Sequence, residues 1–116
     1  MVICEHRPEL AGLAAAWLAQ AGCELAGRAA NARQAIEACL HQTPDVVLVD
    51  DELPAPAGMD ILAALRLAAP GARIVAWNYH DTWTAVAAAA DEIVDKDDFV
   101  GLERLADAAR HRSEEP

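Results

Sequence analysis

Lysine is nearly missing from this chain. Among 116 residues the only one is Lys96, and every other fixed positive charge is an arginine: Arg7, Arg28, Arg33, Arg66, Arg73, Arg104, Arg110 and Arg112. Positive charge of any kind is scarce. Nine Lys and Arg stand against 19 Asp and Glu, for a net charge of -10. An acidic domain of this sort repels phosphate backbones, which argues against direct nucleic-acid binding. The apolar runs are too short to span a membrane. Glu5, His6 and Arg7 interrupt the N-terminus, so it does not read as a signal peptide. Three cysteines, Cys4, Cys23 and Cys39, lack metal-like spacing. An odd count without a secretory signal fits reduced thiols used as core fillers in the cytoplasm. No glycine-rich phosphate cradle or nucleotide fingerprint is present.

What is there is an alternation of strand and helix signals in a length that suits one domain. Val2-Ile3-Cys4 is a short apolar run ending at Glu5-His6-Arg7. Pro8 suits a helix start, and Leu10, Leu13, Ala14, Trp17, Leu18 and Ala21 follow at helical spacing up to Gly22. Cys23 to Ala29 reads as a weaker second strand. Asn31 can cap a helix that turns Ala32, Ala35, Ile36, Cys39 and Leu40 inward. Pro44 ends it. Asp45 to Asp50 is the best strand, and its four consecutive apolar residues point to a central strand buried on both faces. Met59, Ile61, Leu62 and Leu65 predict a third helix. Arg73 to Trp77 is a fourth strand, Asn78 to Asp81 a loop and Thr82 to Ala90 a short helix. Glu92 to Asp95 is a fifth strand. Val100, Leu102, Leu105, Ala106 and Ala109 mark a last helix, with a polar, frayed tail from His111 to Pro116.

Five strands alternating with five helices predict a doubly wound α/β fold with a parallel sheet. In such sheets the functional site lies beyond the carboxyl ends of the strands. Those ends carry Glu5 and His6, Asp50 and Asp51, Asn78, and Lys96. Carboxylates gathered there suit a hard divalent cation such as magnesium. An aspartate at the end of a buried strand can also act as a nucleophile and form an acyl phosphate. That chemistry needs positive charge beside the phosphoryl oxygens, which Lys96 would supply. The amide of Asn78 could donate a hydrogen bond to one of those oxygens.

These residues carry a resemblance. Pro44-Asp45-Val46-Val47-Leu48-Val49-Asp50, Pro54, Gly58, Pro8 and Ala90-Asp91-Glu92-Ile93-Val94-Asp95-Lys96 resemble, in order and spacing, the receiver domain of two-component response regulators. The resemblance covers nearly the whole chain, with the receiver over residues 1–112 and a polar tail at 113–116. It implies a flavodoxin-like five-stranded sheet of order 2-1-3-4-5 with five helices. It implies that Asp50 accepts phosphate from a histidine kinase or phosphotransfer protein. It implies that Glu5, Asp50 and the backbone carbonyl of Glu52 hold magnesium, with His6 as a further candidate, and that Lys96 pairs with the phosphate. Asn78 and Ile93 fall on the switch positions.

The chain also departs from the family pattern. Two acids usually end the first strand, and here the pair is Glu5-His6. Imidazole is a poor magnesium ligand, so metal affinity should be reduced or lost. The hydroxyl expected after the fourth strand is replaced by Asn78, between Trp77 and Tyr79, and the switch aromatic by Ile93. The fourth helix region is short by roughly one turn. His6 has three readings: a neutral filler, a group that gains charge near pH ~6–7 beside carboxylates, or a ligand for a softer metal such as zinc. Asn78 either contacts a phosphate or caps a loop. Asp51 should point away from Asp50, as strand neighbours face opposite sides. Trp77 and Trp83 read as packing residues.

Two functions follow. One is a cytoplasmic, non-enzymatic signalling receiver that acts on a downstream protein, with a homodimer left open. The other is a pseudo-receiver that binds partners without phosphorylation. A different ligand-binding module of similar fold is a weaker third.

Overall fold

The computed structural model describes residues 1–79 and 88–114, with side chains as far as residue 107. Strands β1 (Val2–Cys4), β2 (Gly27–Ala29), β3 (Val46–Asp50), β4 (Arg73–Asn78) and β5 (Glu92–Asp95) form one sheet in the order β2-β1-β3-β4-β5. Every neighbouring pair is parallel. The described helices are α1 (Pro8–Gln20), α2 (Ala32–Gln42), α3 (Ile61–Ala68) and α4 (Phe99–Glu114). Four helices therefore stand among the described residues where five were expected. The missing one, Thr82 to Ala90, falls largely on residues 80–87, outside the described residues, as does Trp83.

The two faces of the sheet explain the unbroken apolar run of β3. Val46 and Leu48 pack with Ile3, Val75 and Trp77 under α1 and α4, against Ala14, Leu18, Leu102 and Leu105. Val47 and Val49 turn the other way, with Val2, Cys4 and Ile74, under α2 and α3. Both faces are core, so a polar alternation would bury polar groups on one side. Trp77 is fully buried, as a packing residue should be.

Local chemistry sets the element ends. Pro8 occupies the first turn of α1, where its missing N–H costs nothing. Gly22 ends that helix at φ 88°, in the left-handed region glycine tolerates. Asn31 caps α2 by accepting from Gln34 N at 2.9 Å, while Gln34 Oε1 accepts from Ala30 N at 2.8 Å. Gln34 thus reaches back one residue past the cap, so the two bonds hold the chain entering α2 without forming a strict capping box. Asp60 caps α3, so Met59, expected within the helix, lies outside it and is exposed. Arg66 and the amide of Ile74 both hold Asp91 at the start of β5. Trp17 Nε1 donates to Phe99 O at 3.2 Å and ties α1 to the start of α4.

Several expectations shift. β2 is shorter than predicted, and Cys23 belongs to the core rather than to a strand. β4 extends through Asn78. Leu40, read as inward, is 58% exposed, and Leu13 and Val100, part of the helical spacing, are also half or more exposed. Helix α4 continues through the polar residues from His111 to Glu114, where fraying was expected.

Candidate functional site

The crossovers bring the carboxyl ends of β1, β3, β4 and β5 to one edge of the sheet. Register places Asp50 opposite Trp77, and Asn78 opposite Asp95. Glu5, Asp50, Asn78 and Lys96 are the buried polar side chains among the described residues. All four are strand-end residues that the sequence nominated.

Asp50 closes β3 with no exposed surface. Its Oδ1 accepts from Lys96 Nζ at 2.9 Å and from the backbone amide of Glu52 at 3.1 Å. Its Oδ2 lies 2.6 Å from His6 Nδ1. Burial pushes the carboxyl up, but the bonds from Lys96, the Glu52 amide and His6 outweigh it and hold Asp50 below the usual carboxylate range. An ionised carboxylate only accepts, so His6 Nδ1 carries the proton in that contact. Glu5 is buried just past β1. Its Oε1 accepts from Arg7 N at 3.1 Å, and its Oε2 forms an ion pair with Lys96 Nζ at 3.1 Å. That pair is off the line of a hydrogen bond, and Oε2 has no other partner.

Lys96 thus sits between two buried carboxylates. Burial works against its charge, yet the hydrogen bond to Asp50 and the ion pair with Glu5 raise it above the ordinary lysine range. Its backbone amide donates to Asn78 O at 2.8 Å, which fixes where the side chain starts. The Asp95 and Asp98 carboxylates bind the amides of Asp97 and Gly101 at 2.8 Å, so the acidic run around Lys96 holds the turn after β5. Nζ lies 5.5 Å from the Trp77 ring centroid and 5.4 Å from that of Tyr79, within cation–π range. An ammonium fits in this small space more readily than a guanidinium fork.

The other nominated positions fall around this core. Asn78 is buried at the end of β4. Ile93 is 43% exposed on β5. Glu52 turns its side chain to solvent, 3.5 Å from Arg7, and offers its amide to Asp50. Asp51 does not turn away as expected. Burial and the Asp50 carboxylate push its pKa up, so it feels the site directly. It follows β3 in a turn, where strand alternation no longer governs its direction. Sequence reasoning also missed Arg7. It reaches Glu52, and its guanidinium lies 5.9 Å from the Tyr79 ring centroid. Its place between His6 and Pro8 was the only available signal.

A profile of the response regulator receiver domain matches residues 1–109. The chain belongs to this family. The chemotaxis protein CheY of Thermotoga maritima is 34% identical over 58 residues, a stretch covering 50% of this chain and 48% of that protein. The match thus spans about half the length of that curated relative. The receiver domain of the putative response regulator NarL from Mycobacterium tuberculosis superposes with a TM-score of 0.78 at 23% identity, over 94% of each chain. CheY6 of R. sphaeroides, solved in complex with the P1 domain of CheA3, belongs to a matching structure with a TM-score of 0.73 at 20% identity, covering 95% of each chain. At these identities the structural likeness speaks to the fold.

Receivers typically bind magnesium through acidic residues. Here Glu5, His6 and Asp50 each offer one ligand atom, all within 4.8 Å of one another. One of the three is an imidazole nitrogen, whereas magnesium takes oxygen ligands in a near-octahedral shell. The donor set does not fit magnesium. Among the described residues no helix is long and apolar enough to cross a membrane.

Proposed function

We propose that this receiver accepts a phosphoryl group on Asp50 from the phosphohistidine of a histidine kinase or phosphotransfer protein, and signals through contacts with a downstream protein. The observation that carries this reading is the buried, ionised Asp50 paired with Lys96 at 2.9 Å. A carboxylate oxygen attacks phosphorus, the P–N bond breaks, and the departing imidazole takes up a proton. Lys96 offsets the charge that builds on the phosphoryl oxygens. Asn78 is placed by the family pattern to contact them, and Ile93 occupies the second switch position. The CheA3–CheY6 complex supports the class of donor, since the fold is shared. No turnover chemistry is assigned. The family pattern would use Glu5, Asp50 and the Glu52 carbonyl for magnesium, and with His6 in the set those residues do not fit that ion. The reading takes 1–112 as the receiver and 113–116 as its tail, in the cytoplasm, with homodimerisation open to test.

Intact-mass measurement after treatment with acetyl phosphate should show one phosphoryl adduct, absent in Asp50→Ala. No adduct on the wild type under any metal condition would sink the proposal.

The contact between His6 Nδ1 and Asp50 Oδ2 favours a second reading. Both oxygens of Asp50 already have partners, so the fold could serve as a pseudo-receiver that binds its target without phosphorylation. That reading expects the same partner affinity in wild type and Asp50→Ala.

A further inference from the structure

The way Lys96 and His6 divide the two carboxylates points to an unexpected cation. Lys96 Nζ takes Asp50 Oδ1 and Glu5 Oε2, at 2.9 and 3.1 Å. The remaining oxygens, Asp50 Oδ2 and Glu5 Oε1, both face His6 Nδ1, at 2.6 and 3.5 Å. One oxygen of each carboxylate is therefore fixed by the ammonium, and the other is turned towards a single imidazole nitrogen, with Glu5 Oε1 also accepting from Arg7 N at 3.1 Å. We infer that Asp50 Oδ2, Glu5 Oε1 and His6 Nδ1 form a three-ligand site for a borderline transition cation of the zinc class, and that this site selects against magnesium.

Three features support this. First, the donor chemistry is mixed. Imidazole suits zinc, cobalt and nickel, whereas carboxylate and water alone suit magnesium. Second, the three ligand atoms lie within 4.8 Å of one another, a spacing that a tetrahedral site can use after a small adjustment. Bonds of about 2.0–2.1 Å to zinc set ligand atoms roughly 3.4 Å apart. The His6–Glu5 edge, at 3.5 Å, already meets this. The His6–Asp50 edge, at 2.6 Å, must open by about 1 Å. Third, the carboxylates are held from behind. Lys96 and the Glu52 amide bind Asp50 Oδ1, so a cation can enter on the His6 side without displacing either. Such outer partners orient the ligands. His6 is 31% exposed, and a shallow opening lined by Pro8, Ala29 and Gln34 reaches it and Glu5.

Binding requires Nδ1 to give up the proton it shares with Asp50, which passes to Nε2 or to solvent. Three protein ligands leave one position of the tetrahedron for water or another oxygen ligand. The inference rests on this geometry and does not require Asp50 to be phosphorylated.

The test is titration of the intact chain with cobalt(II) as a spectroscopic probe, with zinc and magnesium as competitors. One equivalent of cobalt should bind and give visible ligand-field bands without a thiolate charge-transfer band. Zinc should displace it, and a hundredfold excess of magnesium (about 100: 1) should not, given imidazole's place in the donor set. His6→Ala should weaken cobalt binding by at least about tenfold. His6→Asp, which supplies a third carboxylate, should let magnesium compete. Far-UV circular dichroism checks that both variants fold. No cobalt uptake, a thiolate band, binding unchanged in His6→Ala, or ready displacement by magnesium in the wild type would each overturn the inference. Phosphoryl uptake is scored separately by intact mass, so failure of one proposal does not imitate failure of the other.

Discussion

The two oxygens of Asp50 face different halves of the mouth. Oδ1 meets Lys96 and the Glu52 amide, an arrangement built from the ends of β3 and β5 that matches the receiver pattern. Oδ2 meets His6, where the family pattern has an acid. The first half is buried and pairs charge with charge. The second is partly open and replaces a carboxylate with an imidazole. In the proposed reading one aspartate keeps the cation that phosphoryl chemistry needs, while an imidazole stands on the side where the family pattern places its metal. The partners of the two oxygens can vary separately in sequence, because Lys96 follows β5 and His6 follows β1.

Removing Lys96 should break the comparison most severely. Lys96→Ala leaves Glu5 and Asp50 buried together without a counter-ion, at a cost of about 3–5 kcal/mol in urea unfolding. The pH dependence should reverse as well. In the wild type Asp50 is held below its unfolded value, so its contribution is present above pH ~4 and lost as pH falls through the lower folded pKa. Lys96 is raised, so its contribution is full below pH ~10.4 and lost as pH climbs through its folded pKa. Asp51 has the opposite sign to Asp50: its raised pKa favours the fold in acid, and that benefit is lost as pH rises. In Lys96→Met, burial dominates at Asp50, and stability should rise on mild acidification. A fall like that of the wild type would contradict the role given to Lys96.

Asp51→Asn is expected to act in the other direction. One Asp51 oxygen is buried without a hydrogen-bond partner beside the Asp50 charge. Removing the negative charge should raise stability at neutral pH by about 1 kcal/mol. A loss would mean that Asp51 supports the site. The smallest effect is expected on the open half. His6→Ala gives up one contact at a partly exposed residue and should cost about 1 kcal/mol or less, because water can replace the imidazole. A cost approaching that of Lys96→Ala would show that the two halves are not separable.

Much of this site was legible in the sequence. The unbroken Val46–Val49 run gave away a central strand, since only burial on both faces tolerates it. The lone lysine after a short strand then pointed to the same edge. The helix faces were less legible: Leu13, Leu40 and Val100 keep helical spacing but lie at the margin of each apolar stripe, where spacing does not decide burial. The contact between His6 and Asp50 was not legible either. Strand-end position brings the two near, but the turn between β1 and α1 aims the ring. Arg7 and Tyr79 met across the mouth for the same reason, through loops rather than periodicity.

If the reading is right, Asp50, on its Lys96 side, is a working acceptor. Intact-mass and peptide-mapping analysis of the wild type after acetyl phosphate treatment, beside Asp50→Ala and His6→Asp, tests it most directly. One phosphoryl group is expected on Asp50 in the wild type, a higher yield with magnesium in His6→Asp, and none in Asp50→Ala. An unlabelled wild type, or a label on any residue other than Asp50, would contradict it.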